Sequence, residues 1–324
     1  MIVALNLAAV TVSTQPTLSI TGHALETDPA AFAQLRASAF KIGAKGLRRR
    51  MADDGYVYLP GFFRRYDVMA TRAEIVRRLY LSDVLEPRTD PMDAVARPGV
   101  SVRLGRDNCL LAAGNRPLID LLFRGRMIQF FEVLLGGSVL FFNHTWVRVS
   151  APNHGTEVHT DMVFMGRGTT NLYTAWVPYG DIPLELGGLS ILENSHRQDA
   201  IRDGYCTQDV DSFCENKGEQ PVDWYEQWKL DPKAHYMKGN FVLADDAADL
   251  RRDLGGRWLT ANYRAGDLLV FGMYTVHAAI DNRTNSFRLS SDTRYQLASD
   301  PVDDRWAGEL PVGHTVAGKR GMIC

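Results

Sequence analysis

The stretch Thr156-Glu157-Val158-His159-Thr160-Asp161 decides how the rest of this 324-residue sequence is interpreted. In an extended strand, residues two positions apart point to the same face, so the side chains of His159 and Asp161 are predicted to project together. An imidazole and a carboxylate on one face supply two ligands for a divalent metal ion. The H-x-D motif alone is a weak signal, because histidine and aspartate also stand at this spacing by chance.

A third metal ligand has to come from elsewhere in the chain, and His277 is the best candidate because it ends the apolar run 268–276. Two histidines and one carboxylate on one side of a metal form the facial arrangement typical of non-haem Fe(II) oxygenases. That arrangement leaves the opposite coordination positions open. We therefore predict that His159, Asp161 and His277 form a metal-binding catalytic centre.

A candidate anion-binding pair follows the third histidine. Arg288 stands eleven positions after His277 and opens the segment 288–296. On a strand, Arg288 shares a face with Ser290, so a guanidinium and a hydroxyl could together hold a carboxylate. The alternative interpretation is an ordinary surface arginine, but it does not explain why Arg288 lies on an apolar-rich strand beside a candidate ligand strand.

The order of the predicted elements indicates the fold class. A helical first third is followed, after Gly137, by short segments rich in valine, threonine and aromatic residues, which predict strands. This order favours a mainly β (α+β) fold, a sandwich or barrel decorated by helices. The predicted helices cover about 30–51, 66–81 and 116–135, and the predicted strands cover 56–63, 138–149, 171–177, 189–192, 258–263, 268–271, 275–280 and 288–296.

The segment 197–256 interrupts this rhythm of strands with acidic and aromatic residues. About sixty residues is too long for an ordinary connection, so we predict an inserted subdomain or a lid over the active site. The sequence contains no internal repeat and no linker-like stretch. We therefore predict one domain over 1–324.

Composition excludes several classes of function. The chain has 36 basic and 38 acidic residues and a net charge of −2, so it lacks the positive field of a nucleic-acid-binding protein. Four cysteines without a C-x-x-C pair argue against a zinc site or a disulfide framework and favour a reducing cytoplasm. No segment is long and apolar enough to span a bilayer, so we expect a cytoplasmic protein without a membrane partner.

Taken together, the motifs resemble the phytanoyl-CoA dioxygenase group of Fe(II)/2-oxoglutarate oxygenases over roughly 54–306. The resemblance implies a double-stranded β-helix, that is, a jelly-roll, cupin-like core, beneath a helical N-terminal layer. Three motifs carry it in the order found in the family: the H-x-D motif with its approach 151–156, the strand Thr174-Ala175-Trp176-Val177-Pro178 leading to the turn 185–197, and Gly266-Asp267 followed by His277, Asn282 and Arg288.

The resemblance also implies roles for individual residues. The H-x-D pair and His277 would bind Fe(II), and Arg288 would pair with the distal carboxylate of 2-oxoglutarate. Trp176 matches the tryptophan that lines the cosubstrate site, and Thr174 lies two residues earlier on the same strand face. Ser290 as a second carboxylate donor is inferred from strand geometry rather than from the family.

One turn departs from the family pattern. Asn194 stands where glycine is usual, before Ser195 and His196. Asparagine is the non-glycine residue that best tolerates a positive φ, so the predicted fold is unaffected. We interpret His196 as structural rather than as a metal ligand.

The implied reaction is the oxidation of a small-to-medium organic substrate by O2, with succinate and CO2 formed from 2-oxoglutarate. Related halogenases have a small residue at the position of Asp161, so the carboxylate here favours hydroxylation, or a related oxidation, over halogenation. Two alternatives remain open: a cupin-like protein that binds a metal or ligand without turnover, and a non-haem iron oxidase that does not use 2-oxoglutarate.

Candidate substrate contacts carry weaker signals. Arg148 could meet an anionic substrate or the cosubstrate, or form a salt bridge at the barrel rim. Glu157 shares a predicted strand face with the H-x-D pair, so it either faces the cavity or is solvated. The other candidates are an arginine cluster and three residues of the predicted lid, namely Arg103, Arg106, Arg124, Arg126, Tyr205, Asp209 and Asp211.

Overall fold

The structure is a computed structural model that describes residues 17–100, 111–209, 242–309 and 311. The strands in this part of the chain are β1 (Ser19–Ile20), β2 (His23–Ala24), β3 (Phe32–Gln34), β4 (Tyr56–Leu59), β5 (Val139–Phe141), β6 (Trp146–Ser150), β7 (Tyr173–Pro178), β8 (Leu189–Leu192), β9 (Trp258–Thr260), β10 (Leu268–Gly272), β11 (His277–Ala279) and β12 (Arg288–Leu297).

Four of the seven described helices precede strand β5 in the chain. The seven are α1 (Gly43–Asp54), α2 (Arg65–Leu81), α3 (Arg116–Leu122), α4 (Gly125–Leu135), α5 (Met162–Met165), α6 (Asp199–Arg202) and α7 (Ala247–Leu254), with short 3-10 turns at Phe40–Ile42, Pro91–Asp93, Leu184–Leu186, Ser195–Arg197 and Tyr205–Thr207. Among the residues that the structure describes, no helix is both long and apolar enough to cross a membrane.

Two sheets face each other and form the core. The larger has the antiparallel order β4-β10-β7-β12-β5, and the long strand β12 also pairs with β6. The smaller has the order β11-β8-β9-β3, with β3 parallel to β9. This two-sheet arrangement with helices outside it confirms the predicted α+β, cupin-like fold.

Strand β10 shows why the sheets stack in this way. Side chains alternate along a strand, so Leu268 and Val270 point to one face and Leu269 and Phe271 to the other. The first pair packs in the core beneath the helical layer, and the second pair packs between the two sheets. Because both faces of β10 are covered, its sequence is a continuous apolar run rather than an alternating one.

The helical layer differs from the prediction in two places. The segment 30–51 was predicted as one helix, but its first part contains β3, because Phe32 to Gln34 pair with the remote strand β9. The segment 116–135 forms two helices rather than one, since the backbone is extended at Arg124 and Gly125 has a φ of +51°. Helix α1 ends at Asp54, and the left-handed residue that follows it is Gly55, whose φ is +78°.

The predicted lid segment 197–256 is described only at its two ends. The N-terminal end contains α6, and the C-terminal end contains α7, whose N-cap Asp246 accepts hydrogen bonds from Ala248 and Asp249. Leu243 donates its backbone N–H to the carbonyl of Val158 at 2.7 Å, so the returning end runs beside the H-x-D motif. Residues 210–241 lie outside the described residues.

The H-x-D motif itself does not lie on a regular strand, which corrects the geometry assumed from the sequence. His159 forms a single antiparallel bridge with His277, and Asp161 is the N-cap of the short helix α5 with α-helical backbone angles. The bridge consists of two reciprocal backbone hydrogen bonds of 3.1 and 2.9 Å. The main chain therefore holds both histidines side by side.

Candidate active site

Both histidines present the same ring nitrogen to the cavity. Nδ1 of His159 lies 2.7 Å from the carbonyl oxygen of Glu157, and Nδ1 of His277 lies 3.0 Å from that of Thr275. A carbonyl oxygen only accepts, so each Nδ1 carries the proton and each Nε2 keeps its lone pair. This tautomer is the one that a metal-binding histidine requires, and the backbone carbonyls fix the ring orientation.

Asp161 is held as an anion. Its side chain is 2% exposed; Arg294 Nη2 donates to Oδ1 at 2.9 Å, and the hydroxyl of Thr174 donates to Oδ2. Burial alone would raise the pKa of this carboxyl group. The positive charge of Arg294, together with His277 and His159, outweighs burial and lowers the pKa well below its usual range. Asp161 is therefore a carboxylate at neutral pH.

The three side chains converge on one point. One ligand atom from each of His159, Asp161 and His277 lies within 4.8 Å of the others. His277 Nε2 is 3.9 Å from Asp161 Oδ1, and the two imidazole rings are 4.3 Å apart between centroids. Two neutral imidazoles with free Nε2 atoms and one ionised carboxylate are the donor set of a facial Fe(II) site, so the residues present fit an iron ion.

Proton competition at this site is expected to be weak. Burial, and then the proximity of His277, lower the pKa of His159 to about 4, and burial also lowers the pKa of His277. With two ordinary histidine pKa values near 6.5, lowering the pH from 8 to 6 would weaken metal binding ~16-fold. Because both pKa values are lowered, we expect a smaller weakening of Mn(II) binding over the same pH range.

Titration of the metal-free protein with Mn(II) at pH 8, 7 and 6, with free Mn(II) counted by EPR, checks this expectation. A histidine binds a metal only in its neutral form, and a lowered pKa extends that form to lower pH. Metal affinity should therefore be lost only as the pH approaches the lowered pKa. A steep loss between pH 7 and 6 would contradict it.

Arg288 is a buried cation without an acidic partner. Its side chain is 2% exposed and lines the same cavity as the histidines, yet no carboxylate of a described residue lies within ion-pair distance. Nη1 donates to Ser290 Oγ at 3.0 Å and Nη2 donates to Ser150 Oγ at 2.9 Å, while Nε has no hydrogen-bond partner. Burial, and then the charge of Arg148, lower the pKa of Arg288 to about 10, so it remains charged at neutral pH. A buried, incompletely satisfied guanidinium facing a cavity fits an anionic ligand such as the 2-oxoglutarate carboxylate.

Sequence reasoning missed Ser150, which lies directly opposite Arg288 in the β6–β12 register. Nothing local in the sequence identifies this pairing, because the two residues are 138 positions apart. Ser290 was predicted as a carboxylate donor; the structure shows its oxygen accepting from Arg288. A donor role for Ser290 remains a prediction.

The site lies in a cavity of about 430 Å³ between the two sheets. Trp176 and Thr174 both line it, and the hydroxyl of Thr174 donates to Asp161. The apolar part of the wall is formed by Trp146, Phe164, Met165, Leu189, Val242 and Phe271. The cavity thus combines a polar base with an apolar wall.

Both weaker candidates, Arg148 and Glu157, line the cavity. Arg148 forms the salt bridge that was one of its two predicted interpretations, donating from Nε and Nη2 to the carboxylate of Asp292 at 2.6 and 2.9 Å. Glu157 is exposed at the rim, and its backbone carbonyl oxygen lies 2.7 Å from Nδ1 of His159. Asp292 and Arg294 also line the cavity, and sequence reasoning assigned no role to either.

Other candidates lie away from this cavity. Arg124 pairs with Asp120 at 3.2 Å, and the guanidinium of Arg126 lies over the ring of Phe62, so both belong to the helical layer. His196 Nε2 lies 3.2 Å from the carbonyl oxygen of Ala52.

The turn before His196 is formed by Asn194 with a φ of +60°, as its tolerance for positive φ predicted. Tyr205 is buried, and Asp209 forms ion pairs with Arg167 and Arg305. Arg103, Arg106 and Asp211 lie outside the described residues.

The fold and the site define a class of protein. Two histidines and one carboxylate that converge on one point in a cavity are the arrangement typical of non-haem iron oxygenases. Comparison of the sequence with protein families agrees. The model of the phytanoyl-CoA dioxygenase (PhyH) family matches residues 51–290, and the chain belongs to this family.

Individual relatives are distant. The chain is 23% identical over 272 residues to the 1-deoxypentalenic acid 11-beta-hydroxylase of Streptomyces exfoliatus, covering 79% of this chain and 82% of the relative. The structure of EctD from S. alaskensis with 2-oxoglutarate and 5-hydroxyectoine superimposes with a TM-score of 0.52 at 13% identity, covering 92% and 90% of the two chains. Its apo form gives a TM-score of 0.50 at 14% identity, covering 92% and 94%. At these identities the two structures show a common fold alone.

Family, fold and triad together confirm the predicted enzyme class, an Fe(II)/2-oxoglutarate-dependent dioxygenase. They favour it over a cupin-like binding protein without turnover and over an oxidase that does not use 2-oxoglutarate. Iron and 2-oxoglutarate are the cofactor and cosubstrate of this family, and its members act on small molecules.

Proposed function

We propose that this chain uses Fe(II), 2-oxoglutarate and O2 to hydroxylate a small-to-medium organic molecule with a largely apolar surface. The observation that carries the proposal is Arg288, a buried cation without a carboxylate partner among the described residues, in the same cavity as a convergent His-Asp-His set. An iron-binding protein that does not use an organic anion has no need of such a charge. The set of iron ligands, His159, Asp161 and His277, is part of the proposal.

Each residue has a defined task in this proposal. The bound iron and 2-oxoglutarate supply the oxidising chemistry, with CO2 and succinate as co-products. Arg288 holds the distal carboxylate of the cosubstrate, with Ser150 and Ser290 orienting the guanidinium. The indole of Trp176, 2% exposed and packed on Tyr263 at 4.7 Å between ring centroids, limits how the cosubstrate lies.

The apolar part of the cavity wall would contact the substrate. Trp146, Phe164 and Met165 form an apolar surface beside the metal ligands; His159 and Phe164 are 5.5 Å apart between ring centroids. Such a surface excludes water and orients a hydrocarbon portion of the substrate.

Arg148 and Glu157 offer charged contacts at the same cavity. Arg148 Nη1 has no bonding partner among the described residues, and its side chain is 38% exposed. We propose that it meets an anionic substituent, in keeping with a relative named for a carboxylic acid substrate. Glu157 at the rim would meet a polar or cationic group.

We also propose one oxygenase domain over 1–324, a cytoplasmic location, and no nucleic-acid or membrane partner. The near-neutral net charge of −2 supports the absence of a polyanionic partner.

Anaerobic addition of Fe(II) and 2-oxoglutarate to the metal-free protein tests the proposed function. We expect the metal-to-ligand absorption band of a chelated keto acid, and slow succinate release once air is admitted. Glutarate, which lacks the keto group and cannot chelate through it, is the matched control and should give no band.

If neither the band nor succinate appears, the proposed activity is wrong, and the chain is instead a protein that binds a metal or ligand without turnover. If both appear, the substrate can be sought by screening metabolite classes for succinate release that is coupled to the gain of one oxygen atom.

A further inference from the structure

Four charged side chains of alternating sign run from the cavity to the metal-ligand carboxylate. Arg148 donates to Asp292 through two nitrogens at 2.6 and 2.9 Å. Arg294 then joins two carboxylates, donating from Nη1 to Asp292 Oδ2 at 2.5 Å and from Nη2 to Asp161 Oδ1 at 2.9 Å. We call these four residues the ion-pair row. Its charges cancel, which is the condition under which buried ions are tolerated.

Arg294 has a fixed position within the ion-pair row. Its side chain is 2% exposed, and its guanidinium carbon lies 4.4 Å from the centre of the Trp146 ring. Stacking on an indole while donating to two separate carboxylates requires a planar fork of several N–H groups. A lysine ammonium is a point donor and cannot reproduce that arrangement.

Asp161 is constrained on both of its oxygens. Arg294 donates to Oδ1, the oxygen closest to His277 Nε2, and Thr174 donates to Oδ2. Each carboxylate oxygen has more than one lone-pair direction, so Oδ1 can serve Arg294 and a metal together. The two hydrogen bonds, one to each oxygen, therefore fix the rotation of the carboxylate group.

We propose that Arg294, held by Asp292, is a positioning residue that fixes the carboxylate of Asp161 with Oδ1 towards the two histidines, in the orientation in which it would serve as a metal ligand. The inference rests on the proposed function, because it requires a metal at the triad. A carboxylate that is free to rotate would have to be ordered when a metal binds, at a cost in affinity. Asp292 acts by fixing Arg294, and Thr174 acts on the second oxygen.

Metal affinity and the thermal unfolding of the metal-free protein, measured together, test the inference. In Arg294→Lys we expect Mn(II) affinity to fall about 10- to 100-fold, the range for residues that orient metal ligands. The rise in thermal midpoint on adding Mn(II) should shrink accordingly. Asp292→Asn leaves the bond from Arg294 to Asp161 in place but frees the other side of the fork, so it should give a smaller loss in the same direction.

Arg257→Lys is the matched control. Arg257 also forms a two-nitrogen fork with a carboxylate, that of Glu193 at 2.8 and 2.6 Å, but it does not line the cavity. We expect this variant to keep native Mn(II) affinity even if the midpoint of the metal-free protein falls.

The outcomes separate the claims. A lower midpoint of the metal-free Arg294→Lys protein with unchanged Mn(II) affinity would make Arg294 purely structural and overturn the inference. If Arg294→Lys does not fold, Asp292→Asn decides, and native Mn(II) affinity in that variant would also overturn the inference. Failure of the unaltered chain to bind Mn(II) would overturn the proposed metal site and the inference with it.

Discussion

Replacing Arg288 with methionine is expected to raise the Kd for 2-oxoglutarate on the order of 100-fold, because hydrogen bonds to charged groups contribute ~1.5–3 kcal/mol each. Methionine keeps the length and removes the charge that the cavity presents to a carboxylate. Titration of 2-oxoglutarate into the anaerobic Fe(II) protein, followed by the charge-transfer absorption, gives the Kd.

The same substitution should not lower the thermal midpoint of the metal-free protein. Arg288 is a buried cation that burial disfavours, and its Nε has no hydrogen-bond partner. Removing such a charge relieves a desolvation cost, which offsets the lost bonds to Ser150 and Ser290. A substitution that lowers ligand affinity but not stability identifies a binding residue, whereas substitution of a structural arginine would lower both.

Arg72→Met is the control for this experiment. Arg72 is a part-buried arginine whose guanidinium donates to the carbonyls of Met92 and Tyr179, outside the cavity. It should leave the Kd for 2-oxoglutarate unchanged. A native Kd in Arg288→Met would show that the cosubstrate carboxylate is held elsewhere in the cavity, with Arg148 the next candidate.

Replacing His277 with alanine is expected to reduce succinate release on the order of 1,000-fold or more, because a catalytic metal supplies several kcal/mol of stabilisation and a three-residue site loses one ligand. The charge-transfer band should disappear, and Mn(II) binding should weaken in parallel. Succinate is measured in air with saturating Fe(II) and 2-oxoglutarate, so the assay does not require the substrate.

His196→Ala provides the matched histidine control. His196 is half-buried and contacts a backbone carbonyl, as His277 does, but it lies outside the active-site cavity. We expect succinate release within about threefold of native, even if the thermal midpoint falls. If His277→Ala retained the band, the third iron ligand would have to be another residue.

Elements with a local signal were well predicted from the sequence. Strand β10 was expected at 268–271 and extends to Gly272, and β12 was expected at 288–296 and extends to Leu297. The apolar run of β10 ends at a turn, and a turn also follows β12, so the chain itself marks the limits of both strands. The convergence of the two histidines and Asp161 was also predicted, although Asp161 reaches the site from a helix N-cap rather than from a strand.

Features that depend on remote pairing were missed. Strand β3 was taken as part of a helix because its pairing with β9 joins residues more than 200 positions apart. Ser150 and Arg294 became recognisable as site residues only once the register of β12 against β6 and β7 was known. Nor does the sequence show that Asp292, two positions before Arg294 on β12, would pair with both Arg294 and Arg148.

The reciprocal backbone bonds between His159 and His277 have a consequence for how the enzyme is supplied with iron. Peptide groups, rather than the ion, keep the loop and the strand together. Stripping the protein with a chelator should therefore leave the two imidazoles in register, and activity should return within the time of mixing when ferrous salt is restored. Loss and return of the metal would then require no refolding of the site.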